Sequence, residues 1–251
     1  MTRPHDDPLG ASPGVSREHP APTARDRAKA ERRTALLAAA ARLFAERGFD
    51  GVTLGDIGEA AGVSGPAVYR HVAGKQALLG AILVDVSERL LLGGRGVAAS
   101  APLAAAPPAA APGATADPAH GTPPRTPADR RVADVVGGGA HPASAPLRAL
   151  VDFHVSFALA EVDVIRVQDR DLDRLTPADR RTVRELQNAY IDVWTDALAR
   201  AFPDAETPAE RRVRALACFG LMNSTPHSVR GIPAARVRPV LARMALAALT
   251  A

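Results

Sequence analysis

The stretch TLGDIGEAAGVSGPAVYRHV, from Thr53 to Val72, decides how this chain folds. Thr53 precedes Leu54 and is followed three residues on by Asp56. In that arrangement a threonine hydroxyl accepts an orphan backbone N–H and an acid answers the positive end of a helix. Leu54, Ile57 and Ala61 then recur at helical spacing on one inward face. Gly62 supplies a turn, Val63 plugs the core, and Ser64 caps a second helix expected to run to His71. Pro66 is tolerated because it falls in that helix's first turn. Two short helices joined by a glycine-containing turn are the unit that presents a second helix to the major groove of DNA. The same pattern also makes core corners that touch no nucleic acid, and spacing alone does not choose between them.

Upstream, Leu36, Leu37, Ala40, Leu43 and Phe44 mark one buried helical face, which Gly48 ends by tolerating left-handed geometry. Downstream, a fourth helix is expected to stop at Gly93-Gly94, after Leu90-Leu91-Leu92. Four zones result: a proline-rich disordered tail over 1–25, a helix-turn-helix domain with its connecting helix over 26–92, a disordered Ala/Pro/Gly-rich insert over 93–145, and a helical domain over 146–251. The insert composition buries too little side chain to offset its ordering entropy. In the last zone Thr176-Pro177-Ala178-Asp179 and Thr207-Pro208-Ala209-Glu210 each set a threonine cap, a proline in the first turn and an acid three residues on. They predict helices over 177–201 and 208–223, and a last helix runs from Pro233 to about Leu249. Residues 146–175 are expected to form two helices. The fold class is all-α.

The 251 residues carry a formal charge of +4 and are 47% hydrophobic, enough for a real core and mildly suited to an anionic partner. Cys218 is the only cysteine, so an intrachain disulfide or cysteine metal cluster is excluded. No apolar run approaches the roughly 20 residues of a membrane span, and the start has no secretory core. A cytoplasmic protein without membrane contact is expected. Asp169, Asp171 and Asp173 imitate the start of a calcium loop. However, the glycine and final glutamate such a loop needs are replaced by Arg174 and Arg180. Arg166, Arg170 and Arg174 among those acids are expected to form ion pairs on a solvated face. Gly62-Val63-Ser64-Gly65-Pro66 misses a nucleophile elbow by one glycine. No enzyme, cofactor or metal site is expected, and Cys218 on an apolar helix is expected in the core.

From Arg32 to about Leu90 the chain resembles the N-terminal domain of the TetR/AcrR family. The likeness lies in Leu43-Phe44-Ala45-Glu46-Arg47-Gly48-Phe49, Val52-Thr53-Leu54, Asp56-Ile57, Ala60-Ala61-Gly62-Val63-Ser64, Tyr69-Arg70-His71 and Gly74-Lys75-Gln76-Ala77-Leu78-Leu79. Val72 stands where the family usually has Phe, and Gly65-Pro66 is a less common start to the reading helix. The resemblance implies that Thr53 and Tyr69 donate hydroxyls to phosphates and that Lys75 meets a phosphate as a point charge. It further places Ser64, Gly65, Pro66 and Ala67 where the helix enters the groove, with Arg70 and His71 contacting bases or backbone. Arg25, Arg27, Lys29, Arg32 and Arg33 fall where relatives carry a DNA-contacting arm.

The same resemblance implies a C-terminal domain that binds a small molecule and pairs subunits through its last two helices. The partners are then a palindromic double-stranded operator, a second copy of the chain and an unidentified effector. Phe153, Phe157, Gln168, Tyr190 and Trp194, with Met222, Asn223 and His227 from the polar run 222–228, are the candidate effector contacts; ordinary core packing is the competing reading. The Arg166–Asp173 and 222–228 stretches resemble actinobacterial members, some of which respond to acyl-CoA or lipid-like metabolites. The expected function is a ligand-released repressor. An activator or co-regulator of the same fold, or a dimeric ligand carrier that does not bind DNA, are the alternatives.

Overall fold

The computed structural model describes residues 23–70, 72–101, 144–229 and 231–250. Every regular element among them is helical: α1 Ala24–Arg47, α2 Leu54–Ala60, α3 Gly65–Val68, α4 Lys75–Ser100, α5 Ala145–Ala160, α6 Val162–Asp171, a 3-10 turn Leu172–Arg174, α7 Pro177–Ala201, α8 Pro208–Met222, α9 Thr225–Ser228 and α10 Ala234–Thr250. None of the described helices is long and apolar enough to cross a membrane. Most of the 1–25 tail and of the 93–145 insert lies outside the described residues, as does His71.

Helix starts follow local chemistry. Thr53 accepts from the Asp56 N–H at 3.1 Å, and Asp56 accepts in return from the Thr53 N–H at 2.7 Å. Thr207 and Glu210 repeat this box at α8, and Thr176 caps α7 through the Asp179 N–H at 3.0 Å. The helices read as 177–201 and 208–223 accordingly appear at Pro177–Ala201 and Pro208–Met222. A box not read from the sequence, Thr23 with Asp26, starts α1 well ahead of its buried face. Gly48 and Gly62 do take positive φ, +80° and +66°.

Three expectations need correction. The reading helix spans Gly65–Val68 rather than 64–71, and Ser64 makes no side-chain capping bond. Without a cap, and with glycine and proline opening it, little favours a longer helix there. Nor does α4 end before Gly93; it continues to Ser100. A Cβ at Gly93 would overlap the Phe153 ring, and one at Gly94 the Tyr190 ring. The two glycines therefore let helices α5 and α7 press their rings onto α4, and that packing outweighs glycine's poor helix propensity. Third, the arginines of 166–174 do not lie on a merely solvated face. Arg170 donates to the Phe44 carbonyl near the end of α1, Arg174 pairs with Asp50 at 2.5 Å, and Asp171 is buried beside Arg170. Gln76 donates to the Arg174 carbonyl at 2.7 Å.

Two cores result, and they do not divide where composition does. The first joins Leu36, Phe44, Ile57, Val68, Leu79 and Leu83 to Val164, Val167, Leu175 and Val183 of α6 and its neighbours. The second gathers Leu91, Leu147, Leu150, Trp194, Leu198, Cys218, Met222 and Leu249. Helix α4 contributes to both, with its first half in one and its second half in the other.

Candidate nucleic-acid interface and buried polar core

The helix-turn-helix is held from beneath. Ile57 and Val68 are fully buried, and Leu54, Ala61 and Val63 pack beside them. A Cβ at Gly58 would stand 2.6 Å from Val68 Cγ2, so α2 and α3 approach this closely only because residue 58 has no side chain. With Val68 turned inward, its neighbours face out: Tyr69 is 67% exposed, and Thr53, Ser64 and Arg70 are also exposed. Buried packing of Tyr69 is thereby excluded. Ala67 is half-buried at the edge of the same surface. Gly65 and Pro66 belong to the α3 backbone.

Two residues are placed differently from their expected roles. Lys75 directs its ammonium at the protein itself, donating to the Phe49 and Val52 carbonyls at 2.6 and 2.8 Å, 4.4 Å from the Phe49 ring centroid. It ties the start of α4 to the α1–α2 loop. The Thr53 hydroxyl donates to Asp56 Oδ2 at 2.6 Å, so its proton is committed to the helix cap, and that bond holds the Asp56 carboxyl below its usual range. Ahead of them, α1 residues 24–35 carry no buried side chain. Arg25, Lys29 and Arg32 recur along this free stretch at spacings that share one helix face.

The eight candidate effector residues separate. Phe157, Tyr190, Trp194 and Asn223 meet around His154, a residue the sequence reading did not single out. Phe219 completes the group, stacked 5.0 Å from the His154 ring and 5.6 Å from Tyr190, with Trp194 edge-on at 5.1 Å. Phe153 lies against Gly93, and Met222 is fully buried in the core. Gln168 is half-buried on α6. His227 is exposed and lines a separate cleft of about 720 Å³ with Ala45, Glu46, Arg166, Asp169 and Arg170. Partial burial of Asp169 in that cleft raises its carboxyl, against a smaller opposing pull from His227.

His154 is 2% exposed, and both ring nitrogens are occupied. Nε2 lies 3.0 Å from Asn223 Oδ1 and Nδ1 lies 3.1 Å from the Tyr190 hydroxyl. An amide oxygen only accepts, so Nε2 carries the proton and the Tyr190 hydroxyl donates to the bare Nδ1. Burial pushes His154 down to about 4, against a smaller upward pull from Asn223, and the same burial pushes the Tyr190 phenol up. This core therefore holds a neutral imidazole. No signal marked His154 in sequence: it is one of several polar residues in its helix, beside Arg148, Asp152 and Ser156, and its partners lie 36 and 69 positions away.

Fold and surface together define a helix-turn-helix domain carried on a helical core domain. A model of the bacterial regulatory proteins of the tetR family matches residues 36–82, and one of the tetracyclin repressor-like C-terminal domain matches 140–227. The two together match more than half of the chain, and the chain belongs to the TetR family. It is 40% identical over 72 residues to the HTH-type transcriptional repressor KstR2 of Rhodococcus jostii strain RHA1. That match spans 29% of this chain and 35% of the relative's length. A tetR-family regulatory protein from Rhodococcus RHA1 superposes with TM-score 0.61 at 18% identity, covering 87% of this chain and 96% of that one. The ketosteroid transcriptional regulator KstR2 of Mycobacterium tuberculosis gives 0.61 at 18% identity, over 86% and 93%. At such identities the superpositions establish the shared fold.

Proposed function

We propose that this chain is a homodimeric cytoplasmic repressor that holds a palindromic DNA operator and releases it when a small, lipid-like molecule enters the second core. It acts by binding, and the reading assigns it no catalysis. The observation that carries the DNA reading is the edge of the helix-turn-helix, where Thr53, Ser64, Tyr69 and Arg70 face outward over a fully buried Ile57–Val68 support. Phosphate contacts from such an edge set register, and base contacts from the α3 region set sequence. His71 belongs to the same proposal but lies outside the described residues. Lys75 joins as the residue that fixes α4 beneath this edge, with any phosphate contact secondary to its two carbonyl bonds.

Pairing is supported by two helices with apolar residues on both faces. Val237, Leu241, Ala245 and Leu249 of α10 turn inward, while Val240 and Met244 remain 43% and 48% exposed. Val213 and Leu216 of α8 are exposed beside them at 67% and 45%. A two-fold pairing across these faces sets two reading helices one turn of duplex apart. The name of the KstR2 relatives, a ketosteroid regulator among them, supports an apolar effector. The test is selection of bound fragments from the organism's DNA with purified protein, followed by titration at several salt concentrations. Enrichment of an inverted repeat, with affinity falling steeply as salt rises, is expected. A strictly monomeric protein, or one with no preference for any fragment, refutes the proposal. Reporter expression with and without the gene separates repressor from activator.

A further inference from the structure

The polar groups of the second core form a graded chain rather than a sealed knot. Asn223, at the C-terminal cap of α8, is half-buried, as are Phe157 and Phe219 beside it. Inward of Asn223 lie His154, then Tyr190, both below 5% exposure, then Trp194 with no exposure at all. Trp194 Nε1, next to the Tyr190 hydroxyl, makes no hydrogen bond of good geometry. Buried polar groups ordinarily find partners, so the chain has a spare donor at its deep end. At its shallow end the His154–Asn223 bond can be exchanged. Asn223 can turn its amide to water at little cost, while His154 Nε2–H, deep among rings, must keep an acceptor.

The geometry points to His154 as the recognition residue of an effector site for an uncharged ring-shaped molecule bearing a carbonyl or hydroxyl oxygen, which replaces the Asn223 oxygen on Nε2 and lays its apolar body against Phe157 and Phe219. This rests on the effector-binding reading above and narrows it to a chemical class. Apolar pockets with a few convergent polar groups select ligands in this way. The group formed by His154, Phe157, Tyr190, Trp194, Phe219 and Asn223 contains one basic side chain, and burial keeps it neutral down to about pH 4. An anionic ligand could still accept from Nε2–H, but it would give up its hydration among rings with no cation in this group to pair it, a cost an uncharged oxygen does not carry. A carboxylate is therefore disfavoured against a ketone or alcohol of the same shape.

Trp194 is the only tryptophan in the chain, so its emission reports on this core without a label. Full-length protein is titrated with 2-decalone, 2-decalol and decalin-2-carboxylate, none of which absorbs where tryptophan emits. The ketone and alcohol are expected to shift Trp194 emission saturably, and the carboxylate to bind at least tenfold more weakly. His154→Phe keeps the ring stack and removes the donor, and is expected to weaken the ketone at least tenfold. Asn223→Ala removes the competing oxygen at a half-buried position and is expected to tighten the ketone several-fold. Where His154→Phe does not fold, Asn223→Ala decides alone. Carboxylate binding equal to the ketone's, no saturable ketone response up to millimolar concentration, or ketone affinity unchanged by Asn223→Ala overturns the inference. Operator binding is measured separately without probe. Protein that holds the operator but ignores the ketone refutes only the ligand class. Protein that binds the ketone but no DNA refutes only the regulator.

Discussion

Replacing Gly94 by alanine is expected to bring no gain in stability or a loss, although the same change two residues further on, at Gly96, is expected to stabilise the protein. Both residues lie inside α4, where alanine gains about 1 kcal/mol over glycine in helix propensity. A Cβ at Gly96 meets nothing within 4 Å, so that gain stands alone. At Gly94 the added carbon overlaps the Tyr190 ring, with a second ring atom at 3.1 Å. The ring cannot simply step aside, since it is 4% exposed, stacks on Phe219 and is bonded to His154. Overpacking of this kind costs about 1–3 kcal/mol, so the two variants should differ by about that much. At roughly 2–4 °C per kcal/mol for a chain of this size, Gly96→Ala raises the unfolding midpoint by a few degrees and Gly94→Ala lowers it or leaves it unimproved. Differential scanning calorimetry of both variants against the parent decides. If Gly94→Ala raises the midpoint as much as Gly96→Ala, the rings do not sit where the argument places them.

Stability should also depend on the proton state of His154. Its folded value, about 4, lies below its ordinary 6.5. The unfolded chain therefore takes up the proton first as pH falls, and the contribution present above about 6.5 is lost on the way to 4. From about pH 7.5 to about pH 5 this amounts to about 2 kcal/mol. The urea midpoint of the parent should fall relative to that of His154→Phe as the solution is acidified, and parallel curves would count against it. Lys75→Ala gives up two part-buried bonds from an ammonium and should cost about 1–3 kcal/mol in urea unfolding; unchanged stability would return Lys75 to a purely DNA-facing role. Replacing Arg25, Lys29 and Arg32 together by Gln should reduce the salt dependence of DNA affinity by up to about 0.9 for each phosphate left without its cation, and an unaltered slope would show that the free end of α1 misses the duplex. Met244→Asp should shift sedimentation from dimer toward monomer, and an intact dimer would place the pairing face elsewhere.

What the sequence disclosed was chemistry that acts over a few residues. The Thr-Pro-Ala-Asp and Thr-Pro-Ala-Glu starts are self-contained, and α7 and α8 begin where they indicate. Ile57 and Val63 could be assigned inward because helical spacing is a local property. Contacts between distant segments stayed hidden. Arg170 and Arg174 looked like a solvated charge ladder because Phe44 and Asp50 lie more than 120 positions away. Gly93-Gly94 looked like a stop because nothing local reveals that two rings, from α5 and α7, will occupy the space the glycines leave. His154 was invisible for the same reason. Four of its neighbours were named as candidates, yet the residue that organises them was not.

Helix α4 is one unbroken rod serving two cores. Lys75 pins one end to the loop ahead of the DNA-facing unit, and 19 residues later Gly94 takes the weight of Tyr190. At 1.5 Å per residue those points are about 28 Å apart. A rod of that length turns a tilt of about three degrees into a swing of about 1.5 Å at its far end, comparable to the tolerance of a base contact. A small displacement of the Tyr190 ring against the Gly94 notch would therefore move the far end of the rod, with no hinge and no unfolding required.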